Sequence, residues 1–169
     1  MIKKIFIALL IALVVIQFIQ PAKNISGEKS KDITTLYAMP NNVKVIVDKA
    51  CADCHTNNTQ YPWYASVQPV AFWLADHVKE AKSELNFNEF ASYRIAKQNH
   101  KLEEIIEQVK EEEMPLPSYT IIHKEADLTP EERATLTQWC QSIMDTLKAT
   151  YPADSLILKK PNQTQAATN

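Results

Sequence analysis

The chain has 169 residues, of which 46% are hydrophobic and 22% are charged, and its net charge is −2. This composition supports one modest domain with an apolar core, and the near-neutral charge gives no general attraction to nucleic acid. Gly27 is the single glycine, so nucleotide-binding enzymes with a glycine-rich phosphate loop are excluded. Left-handed turn positions should therefore be filled by Asn or avoided.

The N-terminal segment has the pattern of an export signal. Lys3 and Lys4 precede residues 5–19, which are apolar except for Gln17, and a basic start before an apolar run is typical of such signals. Because no small-x-small cleavage site follows, we expect residues 1–21 to remain as a membrane anchor. Cleavage, or a buried core helix, is the alternative. The following chain should lie at the periplasmic face of the cytoplasmic membrane, or in the periplasm after cleavage.

The rest of the chain divides into three parts by composition. Residues 22–40 are mostly polar, end in Met39-Pro40, and predict a tether. Residues 41–150 show helical apolar spacing and no convincing period of two, so we expect an all-α domain. Residues 151–169 turn polar and predict a flexible C-terminal tail.

Four amphipathic patterns predict the helices of this domain. The first can be capped by Asn42, and the second follows Pro69. The third ends before Met114, and the fourth begins with a capping box of Thr129 and Glu132. Their apolar stripes are, in chain order, Val43, Ile46, Val47 and Ala50; Val70, Trp73, Leu74, His77, Val78, Ala81 and Leu85; Leu102, Ile105, Ile106 and Val109; and Leu136, Trp139, Cys140, Ile143, Met144 and Leu147.

The stretch CADCH, residues 51–55, closes the first helical pattern. A zinc site needs four ligands, normally from two such pairs, and the remaining cysteine, Cys140, is expected to be a buried core residue. A redox-active dithiol should follow a strand and open a helix, whereas this pair ends a helix. A third interpretation uses every residue. Two thiols one helical turn apart can add to the two vinyl groups of a haem, and the adjacent histidine can bind the iron.

We therefore predict one covalently bound haem c. Cys51 and Cys54 would attach the haem, and His55 would be the proximal iron ligand. Attachment of this kind is made outside the cytoplasm, which agrees with the export signal. Trp63 and Tyr64 follow the motif closely and are candidates for packing against the macrocycle.

The second axial ligand has several candidates. Met114 ends a helix and precedes a proline, so a loop can turn its thioether toward the iron, and a methionine raises the reduction potential relative to a second histidine. His77, His100 and His123 are the alternatives, with water as a further one. Met39 also precedes a proline, but it lies in the predicted tether. We favour Met114.

The pattern as a whole resembles two known groups of proteins. A helix running into CxxCH, a late Met-Pro and a C-terminal amphipathic helix are similar to class I cytochrome c. More narrowly, the chain resembles the haem-binding domain family of membrane-tethered, exported proteins with one CxxCH. This resemblance implies haem binding on a cytochrome c-like fold. It covers about residues 40–145, through the stretches CADCHTNNTQYPWY, WLADHVKEAKSELNFNEF, HKLEEII, EMPLPSYTIIH and LTPEERATLTQWC.

These features predict a monohaem c-type cytochrome that exchanges electrons with redox partner proteins and is not an enzyme. Its other expected partner is the membrane, through the anchor, and no nucleic acid is expected. One alternative is a haem-based sensor or accessory factor with a displaceable sixth ligand. A haem peroxidase-type enzyme is less favoured, because bacterial cytochrome c peroxidases usually carry two CxxCH motifs and this chain has one.

Overall fold

The computed structural model describes residues 1–159, and within them the chain forms helices and no strand. The predicted all-α class is confirmed. Residues 160–169 of the predicted tail lie outside the described part. The α-helices are α1 (Ile2–Ile16), α2 (Asn41–Ala50), α3 (Ala52–His55), α4 (Val70–Glu84), α5 (Ile95–Lys110), α6 (Pro117–Thr120) and α7 (Pro130–Thr150). Short 3-10 helices are Ile33–Thr35, Trp63–Ser66, Phe87–Ser92, Lys124–Ala126 and Ala153–Leu156.

The chain divides into two compact units. The first unit comprises Met1–Leu36 and Val47–Ala91, and it contains α1, α3 and α4. The second unit comprises Tyr37–Ile46 and the chain from Ser92 onward, and it contains α5, α6 and α7. Helix α2 begins in the second unit and ends in the first, directly before Cys51.

The core of the second unit is formed where α5 packs against α7. Both helices bury the stripe that their sequences predict, because apolar residues three or four positions apart share one helix face. Cys140 is fully buried, so its prediction as a core residue is confirmed. The buried residues of this interface include Leu102, Ile105 and Val109 of α5, and Leu136, Trp139, Cys140, Ile143, Met144 and Leu147 of α7.

Helix α7 starts with the predicted capping box. The Thr129 hydroxyl accepts from the Glu132 backbone N–H at 3.2 Å, and the Glu132 carboxylate accepts from the Thr129 N–H at 2.9 Å. Pro130 occupies the first turn, where its missing N–H costs nothing. These bonds confirm the predicted capping box. It could be predicted from sequence because the residues that form it lie within four consecutive positions.

Helix α5 ends through a residue with left-handed backbone. Glu112 has a φ of 61°, and the next residue, Glu113, donates its N–H to the Gln108 carbonyl at 3.0 Å. This bond closes the helix in the manner of a Schellman motif. Within residues 1–159 the left-handed positions are Gly27 and Glu112. The expectation that Asn would fill such a position is wrong. Glu112 adopts the left-handed backbone because the Glu113–Gln108 hydrogen bond at the end of α5 requires it.

Replacing Glu112 with glycine should stabilise the protein. A side chain in the left-handed region costs about 1–2 kcal/mol, and glycine removes that cost while adding some entropy to the unfolded chain. The Arg133–Glu112 ion pair is 3.9 Å long and the glutamate is exposed, so its loss matters little. We expect Glu112→Gly to raise the free energy of unfolding by about 1 kcal/mol in urea titrations. Glu111→Gly, one residue earlier with φ −81°, should lower it instead; equal losses in both variants would contradict this account.

Helix α4 of the first unit presents a different face from the one predicted. Val78 is buried as expected, but Val70 and Trp73 are exposed, and the small Ala71 is buried in their place. The prediction is therefore wrong for Val70 and Trp73. The physical reason is that α4 packs against α3 and the Trp63–Ser66 turn, and Ala71 is the side chain buried in its first turn.

Helix α1 has no buried residue. The alternative that this segment is a buried core helix is therefore wrong, because its apolar side chains find no protein core. Within residues 1–159, no helix combines the length and the apolar character needed to cross a membrane.

Candidate functional site

The CxxCH motif forms a single tight turn at the end of α2. The Cys51 N–H donates to the Val47 carbonyl at 3.0 Å, and the His55 N–H donates to the Cys51 carbonyl at 2.9 Å. Cys51 and Cys54 thus stand one helical turn apart, which places them on the same side of the backbone. Both are thiols outside any disulfide, and both are half-buried.

The imidazole of His55 is oriented by the segment that follows α4. Its Nδ1 lies 2.9 Å from the carbonyl oxygen of Leu85. Because a carbonyl can only accept, Nδ1 carries the proton, and in the neutral ring Nε2 therefore carries the lone pair. Metal-binding histidines are typically fixed in this way through the second ring nitrogen. Phe87 packs edge-on against the ring at 6.4 Å, so two residues of this segment set the ring's direction.

The two thiols are protonated at neutral pH. Burial, with a smaller contribution from the neighbouring Cys54, raises the pKa of Cys51 to about 12. Burial, with a smaller contribution from Asp53, raises the pKa of Cys54 to about 11. Redox-active cysteine pairs depend on lowered thiol pKa values, so this environment disfavours the dithiol interpretation.

The geometry of the turn fits a covalently held haem. Two half-buried thiols share one side of the turn, and the adjacent imidazole has its tautomer set with the lone pair on Nε2. A haem c takes one iron ligand from this motif, so the fit does not depend on a cluster of metal ligands. In the described part of the chain, no three His, Cys, Asp or Glu side chains gather to hold a metal ion.

The loop after the motif is held by a buried amide, Asn57, which is 6% exposed. Its backbone N–H donates to Asn88 Oδ1 at 2.8 Å, and its Oδ1 accepts from Asn86 Nδ2 at 2.8 Å. Its Nδ2 donates to the Glu28 carbonyl at 3.0 Å and to Glu89 Oε1 at 3.1 Å. The network therefore joins the motif loop to the segment that orients His55. This role of Asn57 is not apparent from the sequence alone.

Residues of the predicted tether also contact the motif loop. The Asn24 side chain donates to the Thr56 carbonyl at 2.8 Å, and the Asn24 carbonyl accepts from the Thr59 N–H at 2.8 Å. Gly27 donates its N–H to the Asn57 carbonyl at 3.0 Å. In the structure, residues 24–28 thus pack along the motif loop as part of the first unit.

Removing the Asn57 amide should destabilise the protein strongly. Asn57→Leu keeps the branching of the side chain but removes three hydrogen bonds of a buried amide, each worth about 0.5–1.5 kcal/mol. We therefore expect the free energy of unfolding to fall by roughly 2–4 kcal/mol in urea titrations.

The neighbouring Asn58 supplies the matched control, because it is exposed. Asn58→Leu should change the free energy of unfolding by less than about 0.5 kcal/mol. Similar changes in the free energy of unfolding for the two variants would contradict the conclusion that the Asn57 hydrogen bonds stabilise the motif loop.

Met114 follows α5 in the second unit and is half-buried. Its N–H donates to the Gln108 carbonyl at 3.1 Å. Arg133 of α7 donates through Nη1 to the Val109 carbonyl at 3.0 Å and to the Met114 carbonyl at 3.4 Å. Arg133 therefore holds both the last turn of α5 and the backbone of Met114, a positioning role that the sequence alone does not indicate.

Two of the alternative histidine ligands interact within their own helices. In the first unit, His77 Nδ1 lies 2.9 Å from the Trp73 carbonyl, and its ring lies 4.2 Å from the indole. In the second unit, His100 Nε2 lies 3.0 Å from Glu104 Oε1. His100 would have to leave this carboxylate to bind iron through Nε2.

His123 of the second unit stacks on Tyr119, with ring centroids 4.3 Å apart, and its Nδ1 lies 3.2 Å from Glu125 Oε1. The aromatic candidates for haem packing lie in the first unit. Trp63 is 82% exposed, and Tyr64 is half-buried against its edge at 5.9 Å. The first unit thus contains Cys51, Cys54 and His55 as well as Trp63, Tyr64 and His77, and the second unit contains Met114, His100 and His123.

The all-α fold and the CxxCH turn with its oriented histidine define a haem-binding protein. Comparison with protein families agrees, because residues 11–142 match the family described as "Haem-binding domain". The chain belongs to this haem-binding domain family. No curated protein matches the chain, and no solved structure matches it.

Proposed function

We propose that this haem-binding protein is a monohaem c-type cytochrome that carries single electrons. The observation that carries the proposal is the CxxCH turn, in which Cys51 and Cys54 share one side and Leu85 fixes the tautomer of His55. A bound haem supplies an iron that alternates between the ferric and ferrous states. The chain's part is to attach the group, bind its iron and limit its contact with water.

The attachment needs only the thiols of Cys51 and Cys54. Cys51 and Cys54 would hold a haem through two thioether bonds; each S–H would add across one vinyl group, with the sulfur on one vinyl carbon and the hydrogen on the terminal one. No oxidant or reductant is consumed, but both cysteines must be thiols when they react.

We propose that Met114 would supply the second iron ligand of a bound haem. Its backbone is held by Gln108 and Arg133, which lowers the entropy lost when the thioether binds. A methionine ligand favours the ferrous state relative to a second histidine and so raises the reduction potential. This ligand would occupy the site that a sensor or a peroxidase must leave open.

We place the domain at the periplasmic face of the cytoplasmic membrane, anchored by the N-terminal segment. The support is that the apolar side chains of α1 are exposed and follow two lysines. Exposed apolar side chains along a whole helix are stabilised when lipid replaces water around them. The partners would be redox proteins that reach this surface.

Voltammetry of the haem-loaded protein, combined with carbon monoxide addition, tests the carrier proposal. We expect a fast, reversible one-electron wave and no spectral change when carbon monoxide is added to the ferrous protein. A slow wave with ready carbon monoxide binding would contradict the proposal and favour the sensor. Sustained turnover of hydrogen peroxide with a reducing substrate would favour the enzyme.

A further inference from the structure

We propose that the first unit docks on the lipid bilayer surface through an exposed apolar patch next to the anchor helix. We call this surface the aromatic patch; it consists of Trp63, Val67, Val70, Phe72 and Trp73. The proposal rests on the proposed function, in that α1 must be anchored in a membrane. It adds that the domain stands on that membrane in a fixed orientation.

The aromatic patch exposes large side chains from two adjoining elements, the Trp63–Ser66 turn with the residues after it and the first turn of α4. Trp63 is 82% exposed and Trp73 is 50% exposed, whereas the third tryptophan, Trp139, is buried. Val67, Val70 and Phe72 are also exposed. A group of exposed apolar side chains marks an interaction surface, and tryptophan is enriched where membrane meets water.

The aromatic patch is fixed to the end of the anchor helix by glutamine side chains. Gln17 accepts from the Gln68 N–H at 2.9 Å, and Gln68 Nε2 donates to the Ile19 carbonyl at 2.6 Å. Gln20 Nε2 donates to the Ser66 carbonyl at 3.1 Å. Gln68, at the centre of this joint, is 2% exposed. The loop that carries the patch is therefore held directly against the residues that follow α1.

The position of this joint determines the depth of the aromatic patch. Gln17 is the polar residue near the end of an otherwise apolar run, so it lies at the boundary between hydrocarbon and water when α1 is in a membrane. Val67 and Val70 flank Gln68 and must lie within a few residues' length of that boundary. The joint therefore carries the aromatic patch to the membrane interface.

A bilayer is the occupant that fits because the apolar surface is continuous with the anchor. Phe18 and Ile19, 85% and 55% exposed, extend the apolar surface from α1 toward the joint. One lipid surface would cover α1, these two residues and the patch together. This proposal assigns Trp63 to lipid, whereas the sequence predicts it as a haem-packing residue.

Spin-label accessibility in the full-length, haem-loaded protein tests this proposal. The protein is reconstituted in vesicles of phosphatidylcholine and phosphatidylglycerol, and nitroxides are attached at Val67→Cys, at Leu10→Cys in α1, and at Lys79→Cys on the exposed side of α4. Relaxation by oxygen, which dissolves in lipid, is compared with relaxation by a water-soluble nickel chelate. We expect the oxygen-to-nickel ratio at Val67 to be severalfold higher than at Lys79.

The labels at Val67, Leu10 and Lys79 distinguish a failure of the docking proposal from a failure of the anchor proposal. A high ratio at Leu10 with equal ratios at Val67 and Lys79 would overturn the docking and leave the anchor standing. A low ratio at Leu10 would overturn the anchor itself. Protection of Val67 from both reagents would mean that protein or haem covers the patch, which also overturns the proposal. Val70→Ser combined with Phe72→Ser should lower the ratio at Val67 without changing the haem spectrum; a changed spectrum would assign the patch to haem.

Discussion

Replacing both Cys51 and Cys54 with serine should abolish covalent haem attachment. A serine hydroxyl does not add to a vinyl group under cellular conditions, so only the exchangeable iron bonds of His55 and Met114 would hold the haem. Haem staining after denaturing electrophoresis should lose its signal completely in the double variant. Single substitutions should each keep one thioether and a weakened signal, because the two thiols react with different vinyl groups.

The third cysteine provides the matched control for this experiment. Cys140 is fully buried on α7, so Cys140→Ser should keep the full haem signal while losing about 1–3 kcal/mol of stability through burial of a hydroxyl. Covalent haem that survives in the double variant would refute the attachment assignment.

Replacing Met114 with alanine should leave the haem covalently attached but remove its sixth ligand. The methionine–iron charge-transfer band of the ferric protein should disappear, and the ferrous protein should bind carbon monoxide. The reduction potential should fall by roughly 0.1–0.3 V, a fraction of the range of about 0.8 V that axial ligands produce. Optical spectra and a redox titration measure both effects.

Two further variants test whether a lost charge-transfer band reports on Met114 specifically. Met39→Leu alters the other Met-Pro pair and should retain the charge-transfer band. Arg133→Gln removes the guanidinium that holds the Met114 carbonyl, and it should weaken the band and allow partial carbon monoxide binding. If Met114→Ala kept its band and potential, the ligand would have to be sought among His77, His100 and His123.

The parts of the fold that sequence predicts correctly have local determinants. The capping box and buried stripe of α7 depend on residues three or four positions apart, and the helix carries both signals within itself. The left-handed Glu112 was not predictable, since no residue type there marks a left-handed backbone. Val70 and Trp73 show a second limit. An apolar stripe indicates a face that avoids water, but it does not say whether core, cofactor or lipid covers that face.

In the candidate site, too, the features that could be predicted from sequence are the local ones. The two thiols and His55 were predictable because the whole motif occupies five consecutive residues. The Leu85 carbonyl that orients His55 was not, because every residue has a backbone carbonyl and the sequence does not mark one of them. The Asn57 network was also hidden, since its members come from residues 28, 57 and 86–89, which meet only after folding.

An alkaline pyridine spectrum of the denatured wild-type protein tests the central claim most directly. The full-length chain would be produced in cells that carry out c-type haem maturation, then denatured and reduced in pyridine. The account predicts one haem per chain that stays with the protein, with the spectrum of a haem whose two vinyl groups are both saturated. Haem that separates from the denatured chain, or a spectrum with intact vinyl groups, would contradict attachment through Cys51 and Cys54 and return CADCH to the zinc and dithiol interpretations.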